Sequence, residues 1–179
     1  MRAAVALAGL LMLSTAGNAE QHYAGMETRG IKSLSDQQIA DLRAGRGMGL
    51  ALAAELNGYP GPMHAIQLKD KLELTAAQVG KLQGLFSAMK AEAIATGKLL
   101  IEQERELNEA FAKQTVTLAS LEAMTQKIGA THAALRAGHL KYHVATLAIL
   151  TPDQVKRYNE LRGYATNAPA RHHHPAGRH

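Results

Sequence analysis

The sequence predicts an all-α protein built around a long antiparallel helical hairpin with short flanking helices. Two observations predict this class. Apolar residues recur at three-and-four spacing through two long segments, and one short phrase typical of helix starts occurs three times. No segment alternates convincingly between polar and apolar residues, and aromatic residues make up 4% of the chain, so nothing favours a sheet.

The repeated phrase contains an apolar residue, a hydroxyl residue, two spacers, a glutamine and a branched apolar residue, and its copies lie at 34–39, 74–79 and 150–155. The hydroxyl oxygen can accept a hydrogen bond from the backbone N–H three residues on, while the glutamine side chain reaches back to the N–H of the hydroxyl residue. Each copy is therefore predicted to start a helix. In the second and third copies the predicted capping residues are Leu74, Thr75, Gln78, Leu150, Thr151 and Gln154.

Residues 1–19 have the pattern of a cleaved secretory signal peptide. Arg2 is followed by an apolar run over 3–13, and small residues, Gly17 and Ala19, occupy the positions that a signal peptidase reads. The run is too short to cross a bilayer, which takes about 20 apolar residues. We expect an exported chain without a transmembrane segment after cleavage.

A flexible leader and a short helical extension are predicted over residues 20–61. The leader lasts to about Ser33 and has no apolar period. One short helix over 35–45 and another over 50–56 follow, each ending near a glycine. The sequence Tyr59-Pro60-Gly61-Pro62 then breaks the chain, because each proline disfavours helix in the residue before it.

The main helical domain is predicted over 62–164. A helix restarts after Pro62 and reaches the second copy of the phrase. A long helix over 76–113 and its partner over 118–149 are joined by a short turn and should lie antiparallel, and a last helix ends at Gly163. Such a hairpin cannot bury its whole apolar face alone, so we expect a homodimer.

The final segment, 165–179, has no apolar period and is predicted to be a disordered tail. Adjacent imidazoles on a flexible segment bind divalent transition metals with little geometric selectivity. The candidate ligands in the tail are His172, His173 and His174.

The composition argues against several classes of function. The chain has no cysteine, so a disulfide framework and a thiolate nucleophile are excluded. The formal net charge of +5 comes from interspersed charges of both signs, which is typical of a solvated surface rather than of a nucleic-acid partner. There is no nucleophile elbow and no phosphate-binding glycine loop, so we do not expect an enzyme.

Three histidines form the most specific polar pattern of the long helices. His132, His139 and His143 lie on one face, and the last two are one turn apart, as in many sites that share one metal ion. Zinc, nickel, cobalt or copper would suit imidazole ligands. Because apolar residues occupy the same face, a structural role for these histidines in an apolar groove is the alternative.

The sequences LTAAQ at 74–78 and LTPDQ at 150–154 bracket the predicted hairpin in an exported, cysteine-free chain. This arrangement resembles the LTxxQ signature of the Spy/CpxP-like periplasmic family, and the resemblance covers about 62–164. The family includes the chaperone Spy, the envelope-stress regulator CpxP, the zinc-responsive protein ZraP and, more distantly, the nickel and cobalt sensor CnrX.

The resemblance implies a hook-like antiparallel homodimer in a Gram-negative periplasm, with no enzymatic site and no required cofactor. It leaves three functions open: an ATP-independent chaperone that binds unfolded or misfolded envelope proteins in a helical cradle, a heavy-metal sensor or resistance protein, and an adaptor that docks on a sensor kinase. The CnrX-like ligand set is not carried over, because Leu68 stands one turn after His64 and Leu147 one turn after His143.

The chaperone hypothesis also has support from the methionines. A thioether side chain is flexible and polarisable, and methionine-rich surfaces suit varied partners. The methionines considered for this role are Met48, Met63, Met89 and Met124.

Overall fold

A computed structural model describes residues 23–164, and within this range every regular element is helical. The predicted all-α class is confirmed. A 3₁₀ turn, Met26–Thr28, precedes six α-helices: α1 (Asp36–Ala44), α2 (Leu52–Glu55), α3 (Pro62–Gln67), α4 (Ala76–Ala112), α5 (Leu118–Leu147) and α6 (Pro152–Leu161). No helix in this part of the chain is both long and apolar enough to cross a membrane.

Two predicted segments fall outside the described residues. They are the signal peptide at 1–19 and the tail at 165–179, which carries His172, His173 and His174.

Each copy of the repeated phrase starts a helix, as predicted. In every copy the hydroxyl oxygen accepts a hydrogen bond of 3.2 Å from the glutamine N–H, and the glutamine side-chain oxygen accepts from the N–H of the hydroxyl residue. These reciprocal capping boxes satisfy donors that a helix end leaves free. The pairs are Ser35 and Gln38 at α1, Thr75 and Gln78 at α4, and Thr151 and Gln154 at α6.

Helices α4 and α5 form the predicted antiparallel hairpin. At its middle, Glu92 of α4 accepts hydrogen bonds from Lys141 at 2.8 Å and from the Tyr142 hydroxyl at 3.1 Å. At its base, the first turn of α4 meets the end of α5, where Gln78 donates to the carbonyl oxygen of Ile149. The start of one helix thus lies beside the end of the other.

The apolar residues form two separate cores. The extension core joins the segment before α2 to the middle of the hairpin, and its buried members are Ile31, Leu34, Leu42, Ala93, Leu100, Ile128 and Leu135. The base core joins α3, α4 and α6 around the LTxxQ phrases, and its buried members are Ala65, Leu72, Leu82, Leu150 and Tyr158.

The structure differs from the flexible leader predicted to last until Ser33. Ile31 is buried in the extension core, and the Lys32 N–H donates a hydrogen bond of 3.2 Å to the side chain of Asn108 on α4. The amide of Asn108 in turn donates to the carbonyl oxygen of Gly30. These contacts are made to a residue far away in sequence, so a search for a regular apolar spacing within 20–33 cannot predict them.

The short helices are also shorter than predicted. Helix α2 occupies four residues of the stretch expected over 50–56. Helix α3 ends at Gln67 and does not reach the second phrase, because turns follow and Glu73 adopts a left-handed conformation with φ of 50°. A continuous helix does not accommodate that backbone angle.

Helix α1 lies directly on α4 at Gly97. A Cβ atom at Gly97 would lie 2.6 Å from the carbonyl oxygen of Leu42, closer than side-chain atoms come to backbone atoms. The next residue after α1, Gly45, has φ of 64° and would place a Cβ 3.0 Å from the carbonyl oxygen of Lys90. The extension can therefore pack closely on the hairpin because these positions lack side chains.

We expect Gly97→Ala to destabilise the protein by about 1–3 kcal/mol, because the added methyl group must push α1 away from α4. Gly84→Ala is the matched control on the same helix, since a Cβ there meets nothing within 4 Å. That control should stabilise the helix by about 0.5–1 kcal/mol. Urea unfolding followed by circular dichroism measures both, and equal stabilities for the two variants would contradict the close contact.

Candidate functional site

The glutamines of the two LTxxQ phrases bind each other. The Gln78 amide nitrogen donates to the Gln154 amide oxygen at 2.8 Å, and the Gln154 nitrogen donates back at 3.2 Å. Each nitrogen also donates across the junction to a backbone carbonyl, that of Ile149 for Gln78 and that of Leu72 for Gln154. Each amide therefore caps its own helix and joins the two phrases at the base of the hairpin.

A second polar centre is the carboxylate of Glu55, which is only 6% exposed. Its oxygen Oε1 accepts hydrogen bonds from the hydroxyl groups of Tyr158 at 2.5 Å and Tyr164 at 3.2 Å. Oxygen Oε2 accepts from the backbone N–H of Gly61 at 3.2 Å. One carboxylate on the short helix α2 thus contacts α6, the chain that follows α6, and the turn before α3.

Three basic side chains surround the same carboxylate. The Arg162 guanidinium and the His64 imidazole lie 3.4 Å from Oε1, and the His143 imidazole lies 3.7 Å from Oε2. Burial by itself would raise the pKa of Glu55, but His64, the Tyr158 hydroxyl and Arg162 outweigh it and lower the pKa to about 2. Burial and the bond to Glu55 raise the pKa of Tyr158, so its hydroxyl stays a donor.

An open cavity of about 650 Å³ lies beside Glu55, between the extension and the hairpin. The glycine-rich loop 45–49, α2 and the start of α3 form one side, and α4 and α5 form the other. Its apolar wall includes Leu52 and Phe86. Its wall also contains three methionines and three histidines, namely Met48, Met63, Met89, His64, His139 and His143. We call it the Met–His cavity.

The structure separates the histidines that the sequence placed on one face. His139 and His143 are buried and border the Met–His cavity, whereas His132 lies two turns earlier on α5, is exposed and does not border the cavity. No group of three or more histidine, aspartate or glutamate side chains within 23–164 is arranged to hold a metal ion. His132 therefore lies apart from the other two histidines, and the metal site on this face stays a prediction.

The two buried imidazoles differ in their hydrogen bonding, since His143 has a partner at Nδ1 and His139 has none at Nε2. His143 Nδ1 lies 2.8 Å from the carbonyl oxygen of Tyr59, and because a carbonyl only accepts, Nδ1 carries the hydrogen. In the neutral ring the lone pair is then on Nε2. His139 Nε2 is buried without a hydrogen-bond partner. Burial, helped by the nearby His143, lowers the pKa of His139 and favours its neutral form.

The sequence analysis missed Glu55 and the contact between Gln78 and Gln154. A sequence signal for Glu55 does exist, since it is the one charged residue within the otherwise apolar stretch 50–56. An isolated acidic residue in such a stretch faces either water or a buried partner. The sequence does not say which, because the partners of Glu55 are at positions 61, 143, 158 and 162. The two glutamines are also far apart in sequence, at positions 78 and 154, so local spacing does not pair them.

Comparison with known proteins gives one match. A family model described as LTXXQ motif family protein matches residues 61–162. No curated protein and no solved structure matches the chain.

We expect Gln78→Ala and Gln154→Ala each to cost about 2 kcal/mol of stability, because each removes a cap and the bonds across the junction. Gln38→Ala is the matched control: its amide makes the same cap at α1 and is exposed, so the cost should be about 0.5–1 kcal/mol. The double variant at 78 and 154 should lose less than the sum of the single losses, by about 1 kcal/mol. Strict additivity in urea unfolding would show that the two amides do not interact.

Glu55→Gln should reduce stability at pH 7 by about 2–4 kcal/mol, because the amide keeps the shape but removes the buried charge that the surrounding basic groups and hydroxyls stabilise. The pKa of Glu55 is about 2 in the folded chain against an ordinary value of 4.5. Its contribution is therefore complete above about pH 4.5 and is lost as the pH falls towards 2. The gap between wild type and Glu55→Gln should narrow from pH 7 to pH 3 in urea unfolding.

Glu106→Gln, which changes an exposed carboxylate on α4, is the control for that experiment. It should remain close to wild type across the same pH range. A constant gap for Glu55→Gln from pH 7 to pH 3 would contradict the lowered pKa of Glu55.

Proposed function

Because the chain belongs to the LTXXQ motif family, we propose that it acts in the periplasm of a Gram-negative bacterium as a non-enzymatic, ATP-independent chaperone that binds non-native envelope proteins. The family match covers the region in which the two LTxxQ phrases and the hairpin resemble Spy/CpxP-like proteins. A protein of this type needs an apolar surface that remains accessible in the folded state.

The observation that carries the proposal is the apolar surface at the far end of the hairpin. Phe111, at the end of α4, is 53% exposed, and Leu118, at the start of α5, is 86% exposed. They flank the turn that joins the long helices, and neither belongs to the extension core or the base core. Full burial of a side chain of this size contributes about 1.5–3 kcal/mol of favourable free energy. Contact of another chain with Phe111 and Leu118 is therefore favourable.

Exposed lysines and arginines are distributed along both long helices. Those on α4 and α5 include Lys81, Lys90, Lys98, Lys127, Arg136 and Lys141. Basic side chains next to apolar ones suit non-native proteins, which expose apolar segments together with acidic residues, and they speed the encounter at low salt.

We expect the chain from Glu20 onwards to suppress aggregation of unrelated clients at near-stoichiometric ratio in a light-scattering assay. The double variant Phe111→Ser, Leu118→Ser should lose most of this suppression, because it removes the two large apolar side chains exposed at the far end of the hairpin and leaves both cores intact. Ala112→Ser, Ala119→Ser is the matched control, since it changes the neighbouring exposed positions.

Two outcomes would contradict the chaperone proposal. One is that the wild-type chain suppresses none of several clients. The other is that the Phe111, Leu118 variant suppresses as well as wild type, in which case this surface does not bind clients.

A further inference from the structure

The Met–His cavity gathers side chains that the fold itself does not require. Met48 comes from the loop before α2, Met63 from α3 and Met89 from α4, so three separate segments bring a thioether to one cavity. None of the three belongs to the extension core or the base core. The methionines at the mouth, Met48 and Met63, remain 42% and 38% exposed.

Each of the two buried imidazoles of the same cavity has a ring nitrogen, Nε2, without a hydrogen bond to the protein. His139 is 3% exposed, and its Nε2 is buried without a hydrogen-bond partner, an arrangement that normally destabilises a folded protein. His143 donates from Nδ1 to the carbonyl oxygen of Tyr59, which fixes its ring and leaves Nε2 as the acceptor. A backbone carbonyl bound to the other ring nitrogen is the usual support of a metal-binding histidine.

Gly61 leaves room beside the free nitrogen of His143. A Cβ at this position would lie 3.1 Å from His143 Nε2 and 2.9 Å from the adjacent Cε1. A residue with a side chain at position 61 would therefore block access to Nε2 of His143.

The register of the hairpin places Met89 at the level of these imidazoles. Glu92 of α4 contacts Lys141 and Tyr142 of α5 and approaches Gly138. Because α4 and α5 run in opposite directions, residues before Glu92 on α4 lie opposite residues that follow its contacts on α5. Met89 therefore lies near His143, and both border the cavity.

We propose that the Met–His cavity binds a soft monovalent metal ion, Cu⁺, through the Nε2 atoms of His139 and His143 and the thioethers of Met89 and Met63. Thioether sulfur selects soft ions such as Cu⁺, and imidazole is also a good copper ligand. Ag⁺ has the same charge and softness and serves as a probe that does not change oxidation state.

The arrangement disfavours a hard divalent ion. Glu55 is the carboxylate that borders the cavity, and its oxygens already accept bonds from Tyr158, Tyr164 and the Gly61 N–H. The described histidine and acidic side chains do not by themselves form a group of three that could hold a metal. The proposed ligand set is complete only with methionine sulfur, and zinc binds thioether sulfur weakly.

The loop over 45–49 lines the cavity on the side of the extension. Three of its five residues are glycines, and Met48 between two of them has φ of 43°. A residue with a side chain adopts this left-handed conformation only where its surroundings hold it there. The flexible thioether of Met48 at the mouth can take an ion from solvent and pass it inwards.

The test uses the chain from Glu20 with His172, His173, His174 and His179 replaced by Ala, so that the tail supplies no imidazole. Its affinity for Cu⁺ is measured anaerobically by competition with a chromophoric Cu⁺ chelator. Met89→Leu and His139→Gln should each raise the Kd by about tenfold or more. Met124→Leu and His132→Gln are the matched controls on α5, and because neither residue borders the cavity, both should keep the wild-type Kd.

A second measurement does not depend on any variant of the cavity. Ag⁺ added to the same chain should shift the methyl NMR signals of Met63 and Met89 and leave that of Met124 in place. Met89→Leu conserves volume and should keep the fold and the suppression of aggregation, so loss of metal binding is distinguishable from loss of client binding.

Three results would overturn the site. They are an unchanged Cu⁺ Kd in Met89→Leu, Ag⁺ shifts confined to methionines outside the cavity, and Zn²⁺ bound more tightly than Cu⁺ with no dependence on Met89. Loss of all Cu⁺ binding when the tail histidines are replaced by Ala would overturn it as well.

Discussion

The buried carboxylate of Glu55 is the contact on which the arrangement of the short helices depends. Helix α2 has four residues and could not persist alone, because isolated helices of that length are unstable in water. Its carboxylate accepts bonds from Tyr158, Tyr164 and the N–H of Gly61, and it lies within ion-pair distance of Arg162. A buried charge without such partners would cost several kcal/mol, so α2, α3 and α6 must assemble together.

The paired glutamines play the corresponding role at the base of the hairpin. Capping alone needs no partner, as the exposed box at Ser35 and Gln38 demonstrates. In the LTxxQ phrases the same amide also bonds to the other phrase and to a backbone carbonyl across the junction. The first turns of α4 and α6 are thus fixed relative to each other, which explains why the motif specifies glutamine where a helix start alone would accept other residues.

The remaining surfaces divide into two regions with different chemistry. The far end of the hairpin exposes Phe111 and Leu118, which suit a non-native chain. The Met–His cavity, near the base, combines thioethers with imidazoles whose free nitrogens are buried or held in place. The extension core lies between them, since it packs Ile31, Leu34 and Leu42 on the middle of the hairpin. Client binding and metal binding are therefore separable by substitution.

The sequence by itself determined the helical class, the three capping boxes, the long hairpin and the family, because each rests on residues within one turn or on a regular period. It placed the ends of α1, α4 and α5 closely for the same reason. Only the tertiary structure decided that Ile31 is core, and that Glu55 and the two glutamines connect distant segments. Those contacts join residues about 70 to 110 positions apart, and local spacing carries no information about which partner a buried polar group will find.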